Sequence, residues 1–96
     1  MYSYKIGAAV YNELVDAGAH YLVWHSEDSF EQFLQIIEKT FARARQYPYS
    51  LPISPHSTAS KTFRRVTVWR YAFLYRIDEE AKSLVIDRIY HERSDN

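Results

Sequence analysis

The sequence predicts an α+β domain of order β-α-α-β-β-β, a helical hairpin packed on a mainly antiparallel sheet of about four strands. Three observations carry that expectation. After a short alternating run, the first half holds two apolar stripes at helical spacing. The last third holds three runs of strand character joined by short polar links. Between them lies a stretch, 47–61, with neither period. Ninety-six residues leave room for one core, so 1–96 reads as a single domain.

The opening "YSYKI" alternates, with Tyr2, Tyr4 and Ile6 on one face and Ser3 and Lys5 on the other, and so predicts a strand. Val10, Leu14, Ala17 and Tyr21 follow at steps of four, three and four, one stripe of a helix from about Ala8 to Trp24. Gly18 weakens that helix by about 1 kcal/mol relative to Ala, unless it marks where another helix packs closely. A second helix starts at Ser26 or Ser29, and Ser29-x-x-Gln32 has the form of a capping box. Its stripe is Phe30, Phe33, Leu34, Ile37, Phe41 and Ala44, and it ends near Tyr47-Pro48. Glu27, Asp28 and Glu31 near its start and Arg43 and Arg45 near its end suit the helix dipole. The join around His25 is short, which predicts an antiparallel hairpin.

"YPYSLPISPHSTASK" holds all three prolines and reads as a loop, long enough to be functional or mobile. "TFRRVTVW" (62–69), "YAFLYRI" (71–77) and "LVIDRIYH" (84–91) then read as strands, the last two separated by the polar turn "DEEAK". Such short links predict an antiparallel meander.

Composition narrows the chemistry. Hydrophobic residues make up 47% of the chain, which predicts a folded domain rather than a disordered one. The absence of cysteine excludes disulfides, thiolate zinc sites and cysteine nucleophiles, and favours an intracellular home. The first ten residues lack the form of a signal peptide, and no run reaches the roughly 20 apolar residues that span a bilayer. A soluble, cytoplasmic protein without a membrane partner is therefore expected. The formal net charge is zero but unevenly spread. Residues 1–38 hold six acids and one lysine, 39–77 hold eight basic residues and no acid, and 78–96 hold six acids against three basic residues. If the basic block shares a face, that face can meet phosphate or an acidic partner; otherwise its members are ordinary solvated charges.

In that order, "FARARQYP", "FRRVTVWRYAFLYRID" and "VIDRIYHERSD" resemble the RelE/ParE superfamily of bacterial toxins, which includes plasmid-stabilisation proteins. The first sits where the family's second helix ends in an aromatic residue or Asn before Pro. The second resembles the family's paired strands, and the third its last strand, closing in a hydrophobic residue, His and Arg. The resemblance covers essentially the whole chain, with 62–93 the most specific part. It implies the toxin of a type II toxin–antitoxin module, halting growth when free and neutralised by a cognate antitoxin. RelE-like members cleave mRNA on the ribosome, whereas ParE-like members inhibit DNA gyrase and carry no nuclease site. The ParE-like reading is adopted; the alternatives are a metal-independent, ribosome-dependent mRNA endonuclease and an inactive toxin-fold adaptor. A homodimer or a toxin–antitoxin hetero-oligomer is the implied assembly.

Cleaving RNA through its 2′-hydroxyl needs a proton acceptor, a proton donor and a cation at the phosphorane. The resemblance carries His91, Arg65 and Arg76 into those roles, for the nuclease reading alone. Lys61, Arg64, Arg70, Arg43, Arg45, Tyr90 and Arg93 are the further candidates for binding a nucleic acid or protein target. Tyr90 and His91, adjacent on a strand, should face opposite ways. Two features weigh against the nuclease: no glutamate base lies in 39–77, and the chain is neutral where strong RNA binding needs many phosphate contacts. The plain alternative for His91 is a residue closing the last strand. His20 and His25 make a poor metal pair, His56 stands alone in the loop, and Trp24 and Trp69 read as core or interface. No metal or cofactor is expected, and no glycine-rich phosphate loop exists. An enzyme needs His91 and the arginines to converge; a protein inhibitor needs instead an exposed apolar or basic surface, expected on the helical hairpin.

Overall fold

The computed structural model describes residues 1–94. Strand β1 is Ser3–Ile6, a short 3-10 turn spans Ala8–Val10, and helices α1 and α2 are Tyr11–Trp24 and Phe30–Gln46. Strands β2, β3 and β4 are Arg64–Val68, Tyr71–Asp78 and Ser83–His91, followed by a 3-10 turn at Glu92–Ser94. The predicted element order is the observed one.

Helix α2 begins as its sequence predicts. The Ser29 hydroxyl accepts from the Gln32 N–H at 3.2 Å and the Gln32 amide oxygen accepts from the Ser29 N–H at 2.5 Å, closing a capping box. It ends where Tyr47, held out of the helical region by Pro48, takes φ −132° and ψ 73°. Gly18 is buried, and a Cβ there would lie 2.1 Å from a Phe30 ring carbon. The close helix approach, not flexibility, explains the glycine.

The sheet order is β1-β4-β3-β2. Strands β2, β3 and β4 form the expected antiparallel meander, and β1 joins β4 in parallel, with Tyr4 opposite Leu84 and Ile6 opposite Ile86. The hairpin of α1 and α2 is the crossover that this parallel pairing demands. One face of the sheet meets the helices. There Phe41 packs against Tyr4, Phe73 and Tyr75, with ring centroids 5.5, 6.0 and 5.9 Å away, and Tyr21 meets Phe33 at 5.0 Å. The aromatic richness of the chain is largely this core. The buried Tyr75 hydroxyl donates to the Pro48 carbonyl at 2.7 Å, and burial pushes its pKa up to about 12.

Two features were not expected. A β-bulge interrupts β4, because Leu74 faces Arg88 while Tyr75 faces Ile86, leaving Asp87 without a partner across the ladder. It shifts the strand's alternation, so that Leu84 and Ile86 before it and Ile89 and His91 after it all face the helices. The Arg76 guanidinium pins it, its Nε donating to Asp87 Oδ2 at 2.7 Å. Second, the long 47–61 loop is tied down along β2. Ile53 bridges to Arg64, the Arg65 N–H donates to Pro52 O at 3.1 Å, and the Ser54 N–H to Phe63 O at 2.7 Å. Its His56 lies over the sheet's outer face, against Arg88 and Tyr90. Leu74 and Ala72, which point to that face, are buried.

Candidate functional site

His91 ends β4 opposite Tyr71, on the helix-facing side, and their rings meet edge to face at 5.1 Å. His20 of α1 completes the group, 5.5 Å from the His91 ring. The Trp24 indole N–H donates to His20 Nε2 at 3.2 Å, so the neutral His20 ring carries its proton on Nδ1, 2.9 Å from the Tyr71 hydroxyl. Burial and the Asp16 carboxylate raise the Tyr71 pKa, keeping that hydroxyl protonated. His91 Nδ1 accepts from the Arg93 backbone N–H at 3.1 Å. Trp69, at the β2–β3 turn, takes φ 55° and turns its ring against His20, Tyr21, His25 and Tyr71. Arg70 stacks over Trp24 at 4.8 Å and over Trp69 at 5.3 Å. Among the described residues no group of three metal-binding side chains gathers here or elsewhere.

The arginines expected beside His91 are not brought to it. Arg65 pairs with Leu74 and Arg76 with Val85, which places both on the outer face. Arg76 also stands five residues along β3 from Tyr71, about 16 Å at about 3.3 Å per residue. Each has a carboxylate of its own, Arg65 with Glu92 and Arg76 with Asp87. The set His91, Arg65 and Arg76 therefore shares no phosphate-sized space. Tyr90 and His91 do face opposite ways, Tyr90 pairing with Ala72 on the outer face.

That outer face joins the candidate Tyr90 to Arg88, which the sequence did not single out, and to His56, which it left alone in the loop. Arg88 stacks on Tyr90 at 4.8 Å and its Nη1 donates to His56 Nδ1 at 3.3 Å, while the His56 ring meets Tyr90 edge-on at 5.4 Å. The i, i+2 spacing of Arg88 and Tyr90 put them on one face in the sequence already. Nothing local in the loop told where His56 would land.

The remaining candidates separate. Arg45 donates from Nε to Tyr2 O at 2.9 Å and lies 5.6 Å from the Tyr4 ring centroid, tying α2 to β1. Arg43 and Arg93 are exposed. Lys61, Arg64 and Arg76 line one open cleft of about 580 Å³ with Tyr49, at the end of the sheet away from His91. Behind Tyr49, the Glu79 carboxylate accepts from the hydroxyls of Tyr2 and Tyr49 and from Lys82, which together hold its pKa down at about 2.

The hairpin carries an exposed apolar stripe on its first helix. Helix α1 buries Leu14, Ala17 and Tyr21, continuing the side on which Val10 of the preceding turn is buried, yet its opposite side repeats Tyr11, Val15, Ala19 and Val23 at steps of four. Tyr11, Val15 and Val23 are 61%, 46% and 77% exposed. A second apolar side left exposed on a helix is a candidate interaction surface.

A two-helix hairpin on one face of a four-stranded sheet, with an exposed apolar arc on the first helix, defines a small α+β domain of the architecture that the RelE/ParE resemblance implies. The family model described as the ParE toxin of the type II toxin–antitoxin system, parDE, matches residues 4–96, and the chain belongs to that family. Among solved structures, a chain of the RelBE2 toxin–antitoxin complex from Mycobacterium tuberculosis superposes with a TM-score of 0.59 at 19% identity, over 95% of this chain and 98% of that one. At that identity the likeness is one of fold. A comparison with curated proteins gives no significant match. No helix among the described residues is long and apolar enough to cross a membrane.

Proposed function

We propose that the protein is the growth-inhibiting member of its toxin–antitoxin module and acts by binding a protein target, DNA gyrase, with a cognate antitoxin neutralising it in a hetero-oligomer. The observation that carries this reading is the exposed arc of α1. Burying three large apolar side chains on a partner is worth about 1.5–3 kcal/mol each, enough to anchor an interface whose rim is polar. The arc is apolar rather than basic, and α1 itself carries two acids, Glu13 and Asp16, and no lysine or arginine, which favours a partner surface with basic residues beside apolar ones.

The test is induced expression of the wild type, of Val15→Asp with Val23→Asp, and of His91→Ala, followed by gyrase supercoiling and mRNA cleavage on translating ribosomes. Val15 and Val23 are 46% and 77% exposed, so the double variant should keep its fold, which far-UV circular dichroism checks. The expected result is loss of gyrase inhibition and toxicity in the double variant and retention of both in His91→Ala. Wild-type cleavage of mRNA that His91→Ala abolishes would sink the reading in favour of the endonuclease. Unaffected growth with no response in either assay would leave the inactive adaptor.

One observation supports a second reading. The imidazole of His56 beside the Arg88 guanidinium and the Tyr90 ring offers a proton carrier, a cation and a stacking surface on one face. On that reading the endonuclease works from the outer face, and His56→Ala rather than His91→Ala abolishes cleavage.

A further inference from the structure

The cleft at the far end of the sheet has no part in the toxin reading. Three segments build it. Tyr49 and Ile53 come from the long loop, Lys61 and Arg64 from the entry to β2, and Arg76 and Ile77 from the end of β3. Among the described residues no acidic side chain lines it, although three cations and the hydroxyl residues Ser60 and Thr62 do. Its volume of about 580 Å³ falls within the range of small-molecule sites.

The charges inside it are held in place unequally. Arg64 is fixed by donating from Nη1 to Tyr49 O at 3.1 Å and to Leu51 O at 2.7 Å. That uses one of its nitrogens and leaves the guanidinium's other donors for a ligand. Arg76, which also lines the cleft, is oriented through Nε by Asp87, and its terminal nitrogens form no hydrogen bond among the described residues. The Lys61 side chain is exposed and forms no hydrogen bond or ion pair among the described residues. Asp87 neutralises part of the Arg76 charge, and Glu79 is engaged by Tyr2, Tyr49 and Lys82, outside the lining. Two guanidinium groups anchored by hydrogen bonds, one ammonium without a bond among the described residues and two hydroxyls make a donor-rich lining suited to an anion. Beside it, the exposed Tyr49 ring, over which the Arg64 guanidinium already lies at 5.4 Å, leaves its other face with the side chains of Ile53 and Ile77 as apolar surface for a base.

We propose that this cleft binds the phosphate groups of a nucleotide or of a single-stranded nucleic acid, with Tyr49 as the surface on which a base rests. The site lies apart from the α1 arc and from His91, so it stands or falls independently of the gyrase reading.

The test is fluorescence anisotropy of the full chain with three labelled probes: a short oligouridylate, a short oligothymidylate and adenosine triphosphate. Each is titrated at about 50 and about 200 mM salt. Lys61→Glu, which touches no element of the core, is compared with Lys61→Arg and with Lys39→Glu, an equally exposed charge on α2. Tyr49→Ala reads the base contact. The expected result is binding of at least one probe, weakened about tenfold or more by Lys61→Glu, restored by Lys61→Arg and changed little by Lys39→Glu. For a strand that meets three cations, the slope of log affinity against log salt should be about −2, and Lys61→Glu should flatten it by about 0.7. Preference for the oligonucleotides identifies a strand as the ligand; preference for the triphosphate identifies a nucleotide. Failure of all three probes to bind at the lower salt overturns the proposal. So does an equal loss from Lys39→Glu, which would reduce the effect to general charge.

Discussion

Gly18→Ala tests the reason given for the helix hairpin's geometry. In an ordinary exposed helix the substitution stabilises by about 1 kcal/mol, because alanine loses less backbone freedom on folding. Here the added Cβ would lie 2.1 and 2.5 Å from two carbons of the Phe30 ring and 3.3 Å from a third. No methyl group tolerates the first two distances, so the ring has to turn away from α1 or the helices have to part. Overpacking of this kind costs about 1–3 kcal/mol, so the net change should be a destabilisation of about 0–2 kcal/mol. In a Phe30→Ala background the obstruction is gone and the same change should stabilise by about 1 kcal/mol. The double-mutant cycle should therefore give a coupling of about 1–3 kcal/mol. Urea denaturation followed by far-UV circular dichroism reads it, and a thermal midpoint lower by a few degrees for the single variant agrees with it. A higher stability of Gly18→Ala in the wild-type background, or equal effects in both backgrounds, would refute the packing argument.

Three further outcomes follow from the structure. Glu79, with its pKa lowered from 4.5 to about 2, contributes stability above the ordinary carboxyl range that is lost as pH falls from 4.5 through 2. Glu79→Gln should therefore narrow the difference in urea midpoint between neutral pH and acid. Tyr75→Phe should cost about 1 kcal/mol, because the Pro48 carbonyl loses its donor. Since the Tyr75 pKa is raised, its contribution is complete below pH 10 and is lost as pH rises from 10 through about 12, and ultraviolet titration of the variant should lack that late phenol. At Trp69, glycine should prove about 1 kcal/mol more stable than alanine, the reverse of the usual order, because φ is 55° there and both substitutions lose the same ring; equal urea midpoints would show that the turn carries no strain.

The fold was legible because each element had a local cause. Ser29 and Gln32 announced α2, Pro48 ended it, and alternation marked β3. What escaped was whatever depended on two distant segments meeting. The parallel pairing of β1 with β4 has no signature in either strand. The bulge at Asp87 was hidden because "LVIDRIYH" mixes apolar residues on both faces, and it decides the face on which His91 emerges. Resemblance pointed to His91, Arg65 and Arg76 as a set, but a sheet keeps residues together only when their registers share a parity and a position. Arg65 and Arg76 share the outer face, and His91 has neither in common with Arg76. His56 was unreadable for a simpler reason, since its neighbours on β4 are more than thirty residues away along the chain, Arg88 at a separation of 32.

The acid-free stretch from 39 to 77 invited the idea of a single basic face, and the structure divides it instead. Arg65 and Arg76 take carboxylates from the last strand region, Glu92 and Asp87, so the acids missing from one segment are supplied by another across the sheet. Arg45 and Arg64 spend donors on backbone carbonyls, and Arg70 lies against two indoles. Each of these cations already does structural work that a substitution would disturb, so weaker ligand binding by such a variant would carry little meaning. Lys39, Arg43 and Lys61 are the cations of the stretch whose side chains form no such bond among the described residues, and of these only Lys61 stands at the cleft. Lys61 is therefore the position at which ligand binding and folding can be separated, and Lys39 is its proper control.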